Sequence, residues 1–273
     1  MGTRSRYGVL ALAESLDHVG PLTRSSADAG IVLQAISGSD PNDPTALLES
    51  VPDMQANLDA GVRGLKVGYD EKYASEDMEA DSAAAIAAGV RTLERLGAEI
   101  VPVSMPSNLL EYMGAWPVLC ASEATAAHAQ TFPSRAGEYG PWLRQWLESG
   151  AGYSATEYAK ANVLRAACVG ELRRTMRDID VMACPSTARP AYPVTPEELY
   201  GPMPDEWDPW RLRFTAPTNF SGLPTISLPC GLNGDGLPLS IQFVGHFLAE
   251  PLLVGLGHAF EQATGFHELH PPV

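Results

Sequence analysis

Lysine is scarce in this chain. Only Lys66, Lys72 and Lys160 stand among 273 residues, and 33 acidic side chains against 18 basic ones leave a net charge of −15. An acidic surface repels phosphate backbones, so direct contact with nucleic acid is not expected. Long hydrophobic runs are lacking too. Nothing approaches the ~20 apolar residues of a membrane-spanning helix, and no signal-peptide pattern opens the chain. The expectation is a cytoplasmic protein with no membrane contact. The four cysteines, Cys120, Cys168, Cys184 and Cys230, are far apart in apolar settings without a CxxC pair. That spacing predicts reduced core thiols rather than disulfides or a thiolate metal site. "HELH" at 267–270 falls one residue short of HExxH, so its imidazoles do not share a helix face one turn apart. No metal and no cofactor are expected.

"ESLDHVGPLTRSSADAG", residues 14–30, offers an aspartate, a histidine and two serines at close quarters. A Ser-His-Asp site needs the acid to orient the imidazole and the imidazole to reach the hydroxyl. Neighbours in an extended chain point to opposite sides, so Asp17 does not align His18. Ser25 has a plainer role: with Asp28 it has the spacing of a helix N-cap. Lys66 sits in a strand-like stretch, where its stem packs and its head reaches solvent.

What is there is an α/β pattern. Ala29, Val32, Leu33 and Ile36 predict one face of a helix ending at Gly38, followed by turn-rich chain over 40–52. "GLKVGY" (64–69) and "EIVPVS" (99–104) read as strands. A helix over 76–96, with Ala83, Ile86, Val90 and Leu93 at helical spacing, joins them, which implies parallel pairing. Further helices are predicted over 107–132 (bent at Pro117), 138–149 and 154–177. The last of these carries a Ser154/Glu157 capping box. "IDVMAC" is a strand, prolines crowd the irregular stretch 185–209, and "TISLP" and "LSIQFV" form a hairpin-like pair around the "GDG" turn. A final helix begins near Pro251 with Leu252, Leu256 and Phe260 inward. The fold class is therefore α/β, a mixed, partly parallel sheet flanked by helices in one domain spanning 1–273.

Residues 213–245, "RFTAPTNFSGLPTISLPCGLNGDGLPLSIQFVG", resemble the C-terminal hallmark of the amidase signature family. "SRYGVLALAESLDHVGPLTRSSADAGIVLQAISGSDPNDPT" resembles the stretch after that family's catalytic core, especially in amidases close to the A subunit of glutamyl-tRNA amidotransferase. "GLKVGY", "GAEIVPV" and "DIDVMACPST" keep the family's order. The resemblance implies hydrolysis of a carbon–nitrogen amide bond by a Ser-Ser-Lys triad. In the family that triad lies upstream of "SRYG", whereas this chain opens at Met1-Gly2-Thr3 and has no GSSGG- or GGS-like run. No catalytic residue carries over, and the chain is expected to be the C-terminal portion of an amidase-like fold, inactive in isolation. The resemblance places Asp17, Thr215 and Asn219 near the centre, and Trp116, Trp142, Arg144 and Trp146 in the acyl pocket. A small-molecule amide is the expected substrate once an N-terminal half completes the site. Uncovered strand edges predict a homo-oligomer or a complementing chain. Alternatives are an A-like subunit of a tRNA-dependent amidotransferase and a non-catalytic binding remnant.

Overall fold

A computed structural model describes residues 4–201 and 208–270. Met1–Thr3, and Pro202 and Pro204 of the proline-rich stretch, lie outside the described residues. In chain order the elements are α1 (Ser26–Ile36), β1 (Lys66–Tyr69), α2 (Glu71–Ser75), α3 (Ala80–Arg95), β2 (Glu99–Pro102), α4 (Leu109–Met113) and α5 (Ala115–Ala127). There follow α6 (Pro141–Gly152), α7 (Ala155–Met176), β3 (Val181–Pro185), α8 (Pro196–Tyr200), α9 (Ala216–Ser221), β4 (Thr225–Leu232), β5 (Pro238–Gly245) and α10 (Glu250–Thr264).

The strands form one mixed sheet in the order β2-β1-β3-β5-β4. β1 pairs in parallel with both β2 and β3, while β5 runs antiparallel to β3 and β4. Alternation sends Val181 and Ala183 of β3, and Leu239, Ile241 and Phe243 of β5, to one face. There α3 (Ile86, Val90, Leu93) and α10 (Leu253, Leu256, Phe260) cover them. Met182, Cys184 and Val244 point to the other face, beneath α4 to α7 and α9. The helices exist for readable reasons. Ser154 and Glu157 cap α7 reciprocally, and Ser25 Oγ accepts from Asp28 N at the start of α1. Gly97, at φ +100°, turns the chain from α3 into β2. All four cysteines are buried free thiols, and loss of water pushes each up to about 12.

Several expectations change. The helix expected over 107–132 is two, α4 and α5, which break at Gly114, and Pro117 sits in the first turn of α5, where its missing N–H is harmless. The helix expected over 138–149 lies at 141–152, and α3 starts four residues later than 76, after a turn in which Asp77 is at φ +52°. The irregular stretch after β3 contains α8, capped by Thr195 and Glu198. On α1 the buried residues are Ser26, Gly30 and Leu33, whereas Val32 and Ile36 are exposed. The reason is close packing on α10. A Cβ on Gly257 would lie 2.3 Å from Ser26 Oγ, and Glu261 accepts from Ser26 N at 2.8 Å and Ser26 Oγ at 2.9 Å. That approach turns the Ser26–Gly30–Leu33 face of α1 inward and leaves Val32 and Ile36 outside.

Candidate functional site

β4 is an outer strand of the sheet. Gly245 N donates to Pro224 O, so in the antiparallel register the backbone groups of Thr225 and Ser227 turn away from β5, toward the free edge. A cleft of about 480 Å³ runs along that edge. One wall is β4 with the preceding α9 loop, including Thr215, Thr218, Asn219 and Gly222. The facing wall is the irregular chain from Ser15 to Ser26. Gln242 reaches the floor from β5, where its Nε2 donates to Phe214 O at 2.9 Å and so ties the α9 loop to the sheet. Gly222, at φ +69°, ends α9 in the left-handed conformation and turns the chain into β4. Three polar atoms of lining residues are buried without a hydrogen-bond partner: Arg4 Nε, Asn219 Oδ1 and Glu250 Oε2. Burial lowers the pKa of Arg4, and Glu250 opposes that shift.

The residues singled out from sequence scatter. Thr215 and Asn219 line the cleft, as do Ser15 and His18. Asp17 does not. Its Oδ2 accepts from Leu12 N (2.7 Å) and Ala13 N (3.1 Å), and it borders a separate hollow of about 210 Å³ with Arg6, Glu14 and Asp43. His18 Nδ1 lies 3.0 Å from Leu16 O rather than against Asp17. Asp17, His18 and Ser25 therefore serve three local purposes and form no relay. Trp116 packs on Phe220, their ring centroids 5.7 Å apart. Trp142 and Trp146 stack at 5.4 Å, and Arg144 Nη2 donates to Tyr139 O. These last four line neither cleft nor hollow.

Lys66 is exposed on β1, Lys72 faces Glu76 on the surface at 3.8 Å, and Lys160 is exposed on α7. Among the described residues no group of three or more His, Cys, Asp or Glu side chains is placed to hold a metal ion. His270 Nε2 of the "HELH" tail meets Arg24 Nη2 at 2.9 Å. Among the described residues no helix is long and apolar enough to cross a membrane.

Comparison with known proteins settles the kinship. The profile of the family described as Amidase matches residues 1–254. The chain belongs to the amidase family. The amidase-type protein AmiD of Mycobacterium tuberculosis is 42% identical over 273 residues, which cover all of this chain and 56% of AmiD. The crystal structure of the glutamyl-tRNA(Gln) amidotransferase A subunit from Thermotoga maritima superposes with a TM-score of 0.77 at 28% identity, over 96% of this chain and 56% of that one. Peptide amidase from Stenotrophomonas maltophilia gives 0.75 at 26% identity, over 97% and 57%. The chain thus spans little more than half the length of these amidase-family relatives.

Sequence reasoning missed Ser15, Arg4 and Glu250 as lining residues. A serine between an acid and a leucine carries no chemical signature, and the other two reach the cleft only through the folding of distant segments.

Proposed function

We propose that these 273 residues form the C-terminal portion of an amide hydrolase, supplying one side of an active site whose nucleophile and base lie on a complementing portion. The observation that carries this is the cleft. It runs along an open strand edge, and its walls are the two stretches, "ESLDHVGPLTRSS" and "FTAPTNFSGLPTISLP", in which the family resemblance is strongest. Two further features support it. The three lysines stand away from the cleft, and a serine hydroxyl without a positioned base is a poor nucleophile. Leu10 and Leu22 on the N-terminal segment, Ile31 on α1 and Leu48 in the loop that follows are exposed, as apolar surface awaiting cover would be. In this reading Thr215 and Asn219 face the substrate directly. Asp17 acts by shaping the turn that carries Ser15, and the Trp116, Trp142, Arg144 and Trp146 region supports the acyl side from behind.

The substrate is a small-molecule amide. The completed enzyme forms an acyl-enzyme, releases ammonia or an amine, and is deacylated by water. The test is complementation. The 273-residue chain is co-expressed with the part of AmiD that it does not match, and ammonia release from simple amides is followed. Turnover that needs both pieces is expected. Turnover by this chain alone, with host activity excluded, overturns the reading, and so does silence from a pair that demonstrably associates.

The identity of about one third to amidotransferase A subunits, 35% over 298 residues for that of a Synechococcus strain, favours one alternative, a subunit that passes ammonia to misacylated tRNA. Co-purification with B- and C-type subunits would select it. The acidic charge then leaves tRNA contact to those partners.

A further inference from the structure

Behind the cleft, one residue of its N-terminal wall is gripped from two sides. Ser15 N donates to Glu123 Oε2 at 2.7 Å, and Ser15 Oγ donates to Glu123 Oε1 at 2.7 Å. From α7, Arg165 Nη1 donates to Ser15 Oγ at 2.7 Å and Nη2 to Ser15 O at 3.0 Å. Every polar group of Ser15 is engaged by one of two opposite charges, which meet through it rather than in direct contact. Tyr158 OH adds a third hydrogen bond to the buried Glu123 carboxylate, at 2.8 Å. The third nitrogen of Arg165, Nε, donates to Phe220 O at 3.3 Å. That carbonyl belongs to the last turn of α9, where a helix leaves its carbonyls without internal donors. Gly222 N satisfies Thr218 O and Asn219 O but not Phe220 O, so the guanidinium completes the cap.

One planar fork thus touches both walls of the cleft, Ser15 on one side and the end of α9 on the other. We infer that Arg165, held in register by Glu123, is a positioning residue that fixes the separation of the two walls and so the width of the cleft that the amide substrate enters. This rests on the amidase reading for its substrate, but the clamp itself is a property of the folded chain. A lysine cannot replace it, since a compact ammonium on a flexible stem does not span three acceptors in two segments. Glu123 matters by the same geometry: a glutamine side chain offers one acceptor oxygen where three donors converge.

Hydrogen exchange on the full chain tests the clamp without any turnover. Arg165→Met should speed exchange of the amides of Ser15, Leu16 and Asp17, and of Asn219 and Gly222, by about tenfold or more, with α3 and α10 unchanged. In Arg165→Ala, which leaves room for it, millimolar methylguanidine should restore protection, whereas Arg165→Lys should behave like Arg165→Met. Unchanged exchange in the two walls overturns the inference. So does a uniform rise across the chain that methylguanidine does not reverse in Arg165→Ala, because it marks a general structural loss. In the complemented enzyme, Arg165→Met should raise KM more for small amides than for bulky ones, with kcat within about twofold. A KM ratio that stays put, or a loss confined to kcat, refutes the link from clamp to substrate. If a pair that demonstrably associates yields no turnover, the amidase reading fails, and the exchange result alone decides the clamp.

Discussion

The two sides of this molecule are built to different standards. Beneath α3 and α10 the sheet is closed: Val67, Leu93, Val181, Ile241, Phe243 and Phe260 are buried in one apolar layer, with Phe243 and Phe260 edge to face at 5.8 Å. Along β4 and the N-terminal segment the opposite holds. There a strand edge is open, residues 7–24 form no regular element, and Leu22 is fully exposed. The first side holds itself together by close packing. The second sends Ala13 and Leu16 into the core and is otherwise held by polar fasteners: Glu261 on Ser26, Asp17 on the turn at 12–13, Glu123 and Arg165 on Ser15. The difference separates a surface sealed by packing from one that leaves a strand edge and large apolar side chains in solvent.

Breaking the finished side should hurt most. Phe260→Ala removes a ring from the α3–α10 layer and should cost about 3–5 kcal/mol of stability in chemical denaturation. Gly255→Ala comes next. Its Cβ would stand 2.1 Å from Asn57 O, so α10 must shift from the 53–60 segment, at a cost of about 1–3 kcal/mol. The fasteners of the open side respond to pH. Asp43 accepts from Thr45 Oγ, Arg6 N and Thr45 N, which hold its carboxyl at about 2, below the usual carboxylate value. Depression of the folded value means that the stabilisation is complete above roughly pH 4 and is lost as pH falls through about 2. Exchange at the Arg6 and Thr45 amides, referred to the intrinsic rate at each pH, should stay protected at pH 5 and lose protection between about 4 and 2. Asp43→Asn should abolish that transition. The smallest effect sharpens the contrast. Leu22→Ser should leave the isolated chain within about 0.5 kcal/mol, yet weaken its pairing with the complementing portion. A large loss of stability from Leu22→Ser would mean that the N-terminal segment is already packed and the comparison is false.

Much of this could be read from the residues in order. Ser154 and Glu157, the 83-86-90-93 repeat and the β4–β5 turn each announced an element, because capping and period-2 or period-3.6 burial act over a few residues. In the turn, Asn233 Oδ1 accepts from Asp235 N and Leu237 N, as short-range geometry requires. The α1 face is not legible locally, because its partner, α10, is more than 200 residues away, and the glycines of α10 rather than the apolar spacing of α1 choose which side is buried. The break at Gly114 is masked by Pro117, the more visible breaker, which is tolerated in a first turn.

Sequence by itself determined the family, the α/β class, the mixed strand pairing and the fate of the cysteines, since each depends on local pattern or on motifs that survive divergence. Only the tertiary structure decided which wall each candidate residue joins. It withdrew Asp17 from the cleft to hold a turn, and put Ser15 between Glu123 and Arg165, 108 and 150 residues away along the chain. Contacts over such separations follow from how layers stack, and no spacing within the sequence encodes that.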